Sequence, residues 1–161
     1  HCQARFTIRS FSMKYKLELL ERFKKICQHV AEITNTRLEI SDDGLAYEDI
    51  RNNQSLESAL EKNFTALGEI VKPREKALGI GCTDMGNVTH EIPGLQSYVL
   101  VVPETRGHTK EFEDACYSEA GHKTIAVGSK AMAMTAVDVL TNPELLEAIR
   151  KDFKEMKEKY E

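Results

Sequence analysis

Leu95-Gln96-Ser97-Tyr98-Val99-Leu100-Val101-Val102 is the stretch on which the fold turns. Its second half is a continuous apolar run with β-branched residues, stopped by Pro103. Such a run reads as a strand buried on both faces, the pattern of parallel or mixed sheets. Immediately before it stands Gly81-Cys82-Thr83-Asp84-Met85-Gly86-Asn87-Val88-Thr89-His90, which has neither helical nor strand period. A long irregular segment beside a buried strand is expected to be an ordered loop held by a scaffold, where binding groups are commonly carried. Gly107-His108-Thr109 follows the strand on its other side.

Working towards the N-terminus, Leu56, Ala59, Leu60, Phe64 and Leu67 form an apolar helical stripe ended by Gly68. Glu69 to Ile80 is ambiguous, a loop with a short strand. Ser41-Asp42-Asp43-Gly44 is the clearest linker signal. In front of it, Arg5 to Ser10 alternates apolar and polar residues as a half-buried strand does. Ser12 caps a helix carrying Met13, Leu17, Leu20, Phe23, Ile26 (or Cys27) and Val30, and Asn35 is placed to end it. Thr36 to Ile40 alternates again. This unit predicts β-α-β, too small to be stable without partner strands.

Towards the C-terminus, a short helix is expected from Thr109 to Tyr117. Thr124 to Leu140 is rich in alanine and methionine, which predicts a helix packed on a sheet and covered on its other side. The methionines read as core filler. Asn142-Pro143-Glu144 starts a closing helix with Leu145, Ile149, Phe153, Met156 and Tyr160 as its stripe.

Composition sets outer limits. The 161 residues are 41% hydrophobic and 30% charged, ordinary for a globular chain. A net charge of −4 does not give the basic face that nucleic-acid binding needs. No apolar run approaches the roughly 18 residues of a membrane span. The chain starts at His1 with no apolar leader, which reads as a processed terminus or an internal cut. Cys2, Cys27, Cys82 and Cys116 form no C-x-x-C pair, so reduced thiols in a cytoplasmic protein are expected.

No phosphate-binding loop, dinucleotide fingerprint, H-E-x-x-H or G-x-S-x-G is present. Of the five histidines, His1 is terminal and His29 reads as structural. His90, His108 and His122 lie in or beside loops flanking the buried run, where ligands gather in α/β sheets. His108 is the first candidate for a zinc ligand, although a lone loop histidine is more often a hydrogen-bonded structural group. Zinc needs three or four ligands, and no second and third stand nearby in sequence. Asp84 could be a ligand, a hydrogen-bond acceptor for one, or a turn cap.

The ordered set Gly81-Cys-Thr-Asp-Met-Gly-Asn-Val88, Ile92-Pro93-Gly94, Gly107-His108-Thr109, Lys130 to Leu140 and Asn142-Pro-Glu-Leu-Leu146 closely resembles the C-terminal part of a known superfamily. This is the zinc-dependent metallopeptidases of the aminoacylase and carboxypeptidase type. The nearest branch is the amidohydrolases similar to aminobenzoyl-glutamate hydrolase and the peptidase M-twenty-domain dipeptidases. Ala4 to Ile40 resembles the last β-α-β of that family's inserted lid.

The resemblance implies an α/β fold, with residues 1–41 as the end of a ferredoxin-like lid and dimerisation domain. Residues 42–161 would be a segment of a three-layer α/β catalytic domain. It implies two zinc ions in the intact enzyme, a zinc-activated water and a glutamate general base, acting on the amide bond of dipeptides or N-acyl amino acids. His108 matches the family's last zinc ligand, with His122 as the looser rival, and Thr83, Asp84 and Asn87 would lie in the substrate-site loop. A homodimer formed through the lid is also implied. Cys82 stands where the family's string has serine. The remaining ligands and the general base would precede His1, so this chain alone is expected to be inactive. The competing expectation is a non-catalytic oligomerisation or interaction module.

Overall fold

The computed structural model describes residues 1–10, 12–42, 44, 46–72, 83–103 and 105–160. Six helices are found among them: α1 (Met13–Ile33), α2 (Gln54–Ala66), α3 (Met85–Glu91), α4 (Lys110–Cys116), α5 (Glu119–Thr141) and α6 (Pro143–Tyr160). The helices start where side chains can satisfy the orphan N–H groups of a first turn. The oxygens of Ser12, Asn53, Thr109 and Ser118 accept from the N–H of Tyr15, Leu56, Phe112 and Gly121. Asn142 Oδ1 accepts from both Glu144 N and Leu145 N, ahead of Pro143 at the first helical position. α1 ends as its sequence implies: Asn35 adopts a left-handed φ of 50°, and Thr36 N–H reaches back to Ala31 O at 2.9 Å.

The α/β expectation is overturned. No strand or sheet pairing occurs among the described residues. The segments 5–10, 36–40 and 95–100 lack regular secondary structure, and none takes part in a ladder. The reason is that strand identity is not local. A helix closes its hydrogen bonds within a few residues, whereas a strand exists only beside a partner. What surrounds the 95–99 run is helical. Leu95 and Val99 pack on the core made by Leu60 and Phe64 of α2 and Ala131 of α5, with Leu67 and Val127 beside them. The backbone of Gln96 is gripped by a side chain: its N–H donates to Asn52 Oδ1 at 2.9 Å, and Asn52 Nδ2 donates to its carbonyl at 3.2 Å.

The body of the molecule is α2 set against both α5 and α6, with α4 leading into α5. The half-turn between α4 and α5 needs Gly121, because a Cβ there would lie 2.2 Å from Cys116 O. The α6 stripe faces inward as its spacing predicts, with Ile149 buried and Leu145, Phe153 and Met156 half-buried. Polar side chains lock the three helices together. Asn53 Nδ2 donates to Ile149 O (2.8 Å), and Asp152 Oδ2 accepts from Ser55 N (2.7 Å). Asn63 Nδ2 donates to both Thr135 Oγ1 (3.0 Å) and Asp138 Oδ2 (2.8 Å).

The expectation that α5 is covered on both sides also fails. Ala131 and Thr135 are buried, while Ile125, Met132, Val137 and Leu140 on the other face are more than half exposed. α1 lies outside the three-helix body, with Ala31 its one buried residue and Leu17, Ile26, Val30 and Ile33 exposed. It joins the rest through Met13 N donating to Asp49 Oδ1 (3.1 Å) and Lys16 Nζ donating to Tyr47 O (2.8 Å).

Candidate functional site

The candidate loop is a short helix. Gly81 and Cys82 lie outside the described residues, and α3 occupies Met85–Glu91, where the sequence showed no period. Seven residues give fewer than two full turns, too few for periodicity to register, so the helix is decided by what it is fastened to.

That fastening is dense. α3 lies against segment 46–51 so closely that a Cβ on Gly86 would be 2.0 Å from Glu48 O. Thr89 is fully buried, and its Oγ1 donates to Gly86 O (3.0 Å) while accepting from Arg51 N (3.1 Å). Asn87 Nδ2 donates to Ala46 O (3.1 Å). His90 lies between two acids, with Nδ1 2.7 Å from Glu48 Oε2 and Nε2 2.9 Å from Asp49 O. On the other flank, Thr83 Oγ1 donates to Gln96 Oε1 (2.9 Å) and accepts from Met85 N (3.2 Å). Asn53 N donates to Gly94 O at 2.9 Å, closing the seam between the two segments that hold α3.

Asp49 is the electrostatic centre. Burial works to raise its pKa, but the Arg51 hydrogen bond, the Met13 N–H, the Arg51 charge and its own backbone N–H outweigh it. The net effect is a carboxyl held below the usual carboxylate range. Arg51 Nε donates to Asp49 Oδ2 at 3.1 Å, with both side chains about 15% exposed.

Of the three loop residues singled out from sequence, Thr83 and Asn87 spend their polar groups holding α3 in place. Asp84 differs: it is exposed at the N-cap position and its carboxylate makes no capping bond. It is therefore the member of the trio whose carboxylate faces water.

The metal candidates do not come together. His108 is exposed, in a left-handed turn (φ 66°) just before the Thr109 cap of α4. His122 is exposed on the first turns of α5. Among the described residues no group of three or more His, Cys, Asp or Glu side chains could hold a metal ion. The described donors do not by themselves make up a zinc site. Nor is any helix among the described residues long and apolar enough to cross a membrane.

Sequence reading missed the Glu48–His90–Asp49 arrangement and the Asn63–Thr135–Asp138 network. Their partners are separated by 41 and 75 residues. Only the adjacent acids Glu48-Asp49 hint at the first, and an asparagine on an apolar helical stripe hints at the second.

With this geometry in hand, comparison with known proteins adds a class: over most of its length the chain is similar to curated dipeptidases. It is 32% identical over 152 residues to the Xaa-Arg dipeptidase of Mus musculus and 34% identical over 152 residues to the Xaa-Arg dipeptidase of Homo sapiens. Each alignment covers 92% of this chain and 35% of the relative, so the chain spans about a third of the length of these proteins. No family model matches it.

Proposed function

We propose that this chain is the C-terminal portion of a metal-dependent amidohydrolase that cleaves the amide bond of dipeptides or N-acyl amino acids. The observation carrying this reading is the 32–34% identity to two Xaa-Arg dipeptidases across 92% of the chain. The relatives' name directs attention first to dipeptides with arginine in second place. In this reading the intact enzyme would hold two zinc ions, which would supply an activated water, and His108 would be one of their ligands, the others lying outside this chain. His122 is the weaker choice, because it sits on a helix face rather than in a loop. Asp84 is exposed at the N-cap position of α3, and in this reading its carboxylate would suit the cationic side chain of such a substrate.

The remaining ligands and the general base belong to the longer polypeptide that the relatives' length implies, so the chain alone does not turn over substrate. Residues 1–41 form the part that makes subunit contacts in a homodimer, and residues 42–161 belong to the catalytic body.

The reading is tested by assaying Xaa-Arg dipeptides with the pure 161-residue chain and with the longer polypeptide, each equilibrated with zinc. No turnover by the chain and turnover by the longer protein, lost in His108→Ala, is the expected result. Turnover by the chain alone, or a longer protein inert on dipeptides and N-acyl amino acids alike, contradicts it.

A second reading, an oligomerisation or interaction module, is favoured by the uncovered apolar faces of α1 and α5. Concentration-dependent self-association of the pure chain, together with an inert longer protein, would support it over the first.

A further inference from the structure

We infer that the outer face of α5 is a seam inside the longer polypeptide, the surface on which the part of the protein beyond this chain packs an apolar, uncharged surface of its own. The inference rests on the reading of this chain as a portion of a longer protein, and not on that protein's being an enzyme.

At about 100° per residue, Ile125, Met132, Val137 and Leu140 fall on one side of α5, opposite buried Ala131 and Thr135. Exposed alanines and Ser129 fill the spaces between them. The stripe runs for about four turns, or about 22 Å. Only two charged residues occur between Ile125 and Leu140. Asp138 is turned towards α2, where its Oδ2 accepts from Asn63 Nδ2 at 2.8 Å, and Lys130 lies at the margin of the stripe. A helix that borders water normally carries charge on its outer side, as α6 does with exposed Arg150, Lys151, Lys154 and Glu155. α5 instead carries core-type residues on both sides.

The apolar surface continues beyond the helix. Thr124 Oγ1 donates to Leu100 O (3.4 Å), and Val99 Cγ2 lies 3.8 Å from where a Cβ on Gly128 would be. Segment 98–100 therefore runs along one edge of the stripe, and its Tyr98 and Leu100 are 62% and 72% exposed. A contiguous apolar surface of this kind marks an interaction site.

The occupant follows from chain length and energetics. About two-thirds of each dipeptidase relative lies outside the part that this chain matches. A part joined through the backbone docks without the roughly 4–15 kcal/mol of lost freedom that a separate molecule pays. One helix face and a short segment beside it are enough for an attached part, whereas a second copy must meet that cost from the same small area. The missing charge defines the counterpart, because a charge buried against this stripe would have no partner.

The test is peroxide oxidation of Met132, followed by mass spectrometry in the pure 161-residue chain and in the longer polypeptide. Sulfoxide formation reports access of the reagent to the thioether, and Met132 is 63% exposed in the chain. The expected result is rapid oxidation in the chain, at a rate independent of chain concentration, and oxidation slower by about tenfold or more in the longer polypeptide. Leu140→Lys in the longer polypeptide, which puts a charge into the stripe, should return most of the lost rate; if that variant does not fold, the wild-type comparison decides. Equal rates in the two wild-type proteins overturn the seam. So does protection that grows with the concentration of the isolated chain, because a second copy is then the occupant. Turnover of Xaa-Arg dipeptides, measured on the same longer polypeptide, separates the two readings. An active protein with Met132 freely oxidised overturns the seam alone, and an inert one with Met132 protected overturns the enzymatic reading alone.

Discussion

Gly86 and Asp49 show how much of this molecule rests on single residues. At Gly86 the absence of a side chain lets the α3 backbone touch the Glu48 carbonyl, a contact that any Cβ would break. Asp49 does the opposite, engaging each of its oxygens: Met13 N–H on Oδ1, Arg51 Nε on Oδ2 and the His90 ring on its carbonyl. Because its folded-state pKa is depressed, the ionised form is favoured by folding. The stability it contributes is present above the ordinary carboxylate value of 3.8 and is lost as the pH falls through the lower folded value. Acid titration of the melting temperature should therefore show a decline below about pH 4 that is shallower in Asp49→Asn than in wild type. Equal slopes in the two proteins would remove Asp49 from the account.

At the level of elements, the helix ends are the most predictable part of the chain and among the most consequential. Ser12 and the Asn142-Pro143 start are legible without a structure, because a capping oxygen and its N–H lie within three residues of each other. Asn53 does more than cap. Its Oδ1 accepts from Leu56 N, its Nδ2 donates to Ile149 O of α6, and its N–H donates to Gly94 O. Asn53→Ala removes the cap and leaves the Ile149 carbonyl without its side-chain donor, at a combined cost of about 2–3 kcal/mol. Chemical denaturation of the purified variant measures this; a loss below about 0.5 kcal/mol would mean that α2 and α6 are not joined there.

On the scale of the whole molecule, stability is concentrated in a small core. Leu60, Phe64 and Ala131 are its buried members, with Leu67, Leu95, Val99 and Val127 around them. Leu60→Ala is expected to destabilise the chain by about 2–4 kcal/mol, whereas Met132→Lys on the open face of α5 changes stability by less than about 0.5 kcal/mol. The pair is informative together. A large cost at Met132 would show that the outer face of α5 is covered in solution, as its composition led the sequence reading to expect.

The six helices are legible to different degrees for one physical reason, the distance over which their causes act. α1, α2, α5 and α6 are long enough for apolar spacing to show, and their caps are local. α3 is too short to show a period and is assembled from bonds to residues about 40 positions away, so it reads as a loop. The 95–102 run illustrates the reverse error: its composition suits a strand, but a strand needs a partner, and its neighbours are helices.

The candidate site divides in the same way. That Thr83, Asp84 and Asn87 are polar residues of one segment, and that His108 stands just before a short helix, is contained in the chain. That Thr83 and Asn87 serve as fasteners, that Asp84 faces water and that His90 sits between two acids was decided by tertiary structure alone. The sequence by itself determined where α1, α2 and α6 begin, because capping and helical bonds close within a few residues. Only the tertiary structure decided which apolar faces are buried and which polar groups meet, because those contacts join residues too far apart in the chain for any local pattern to record.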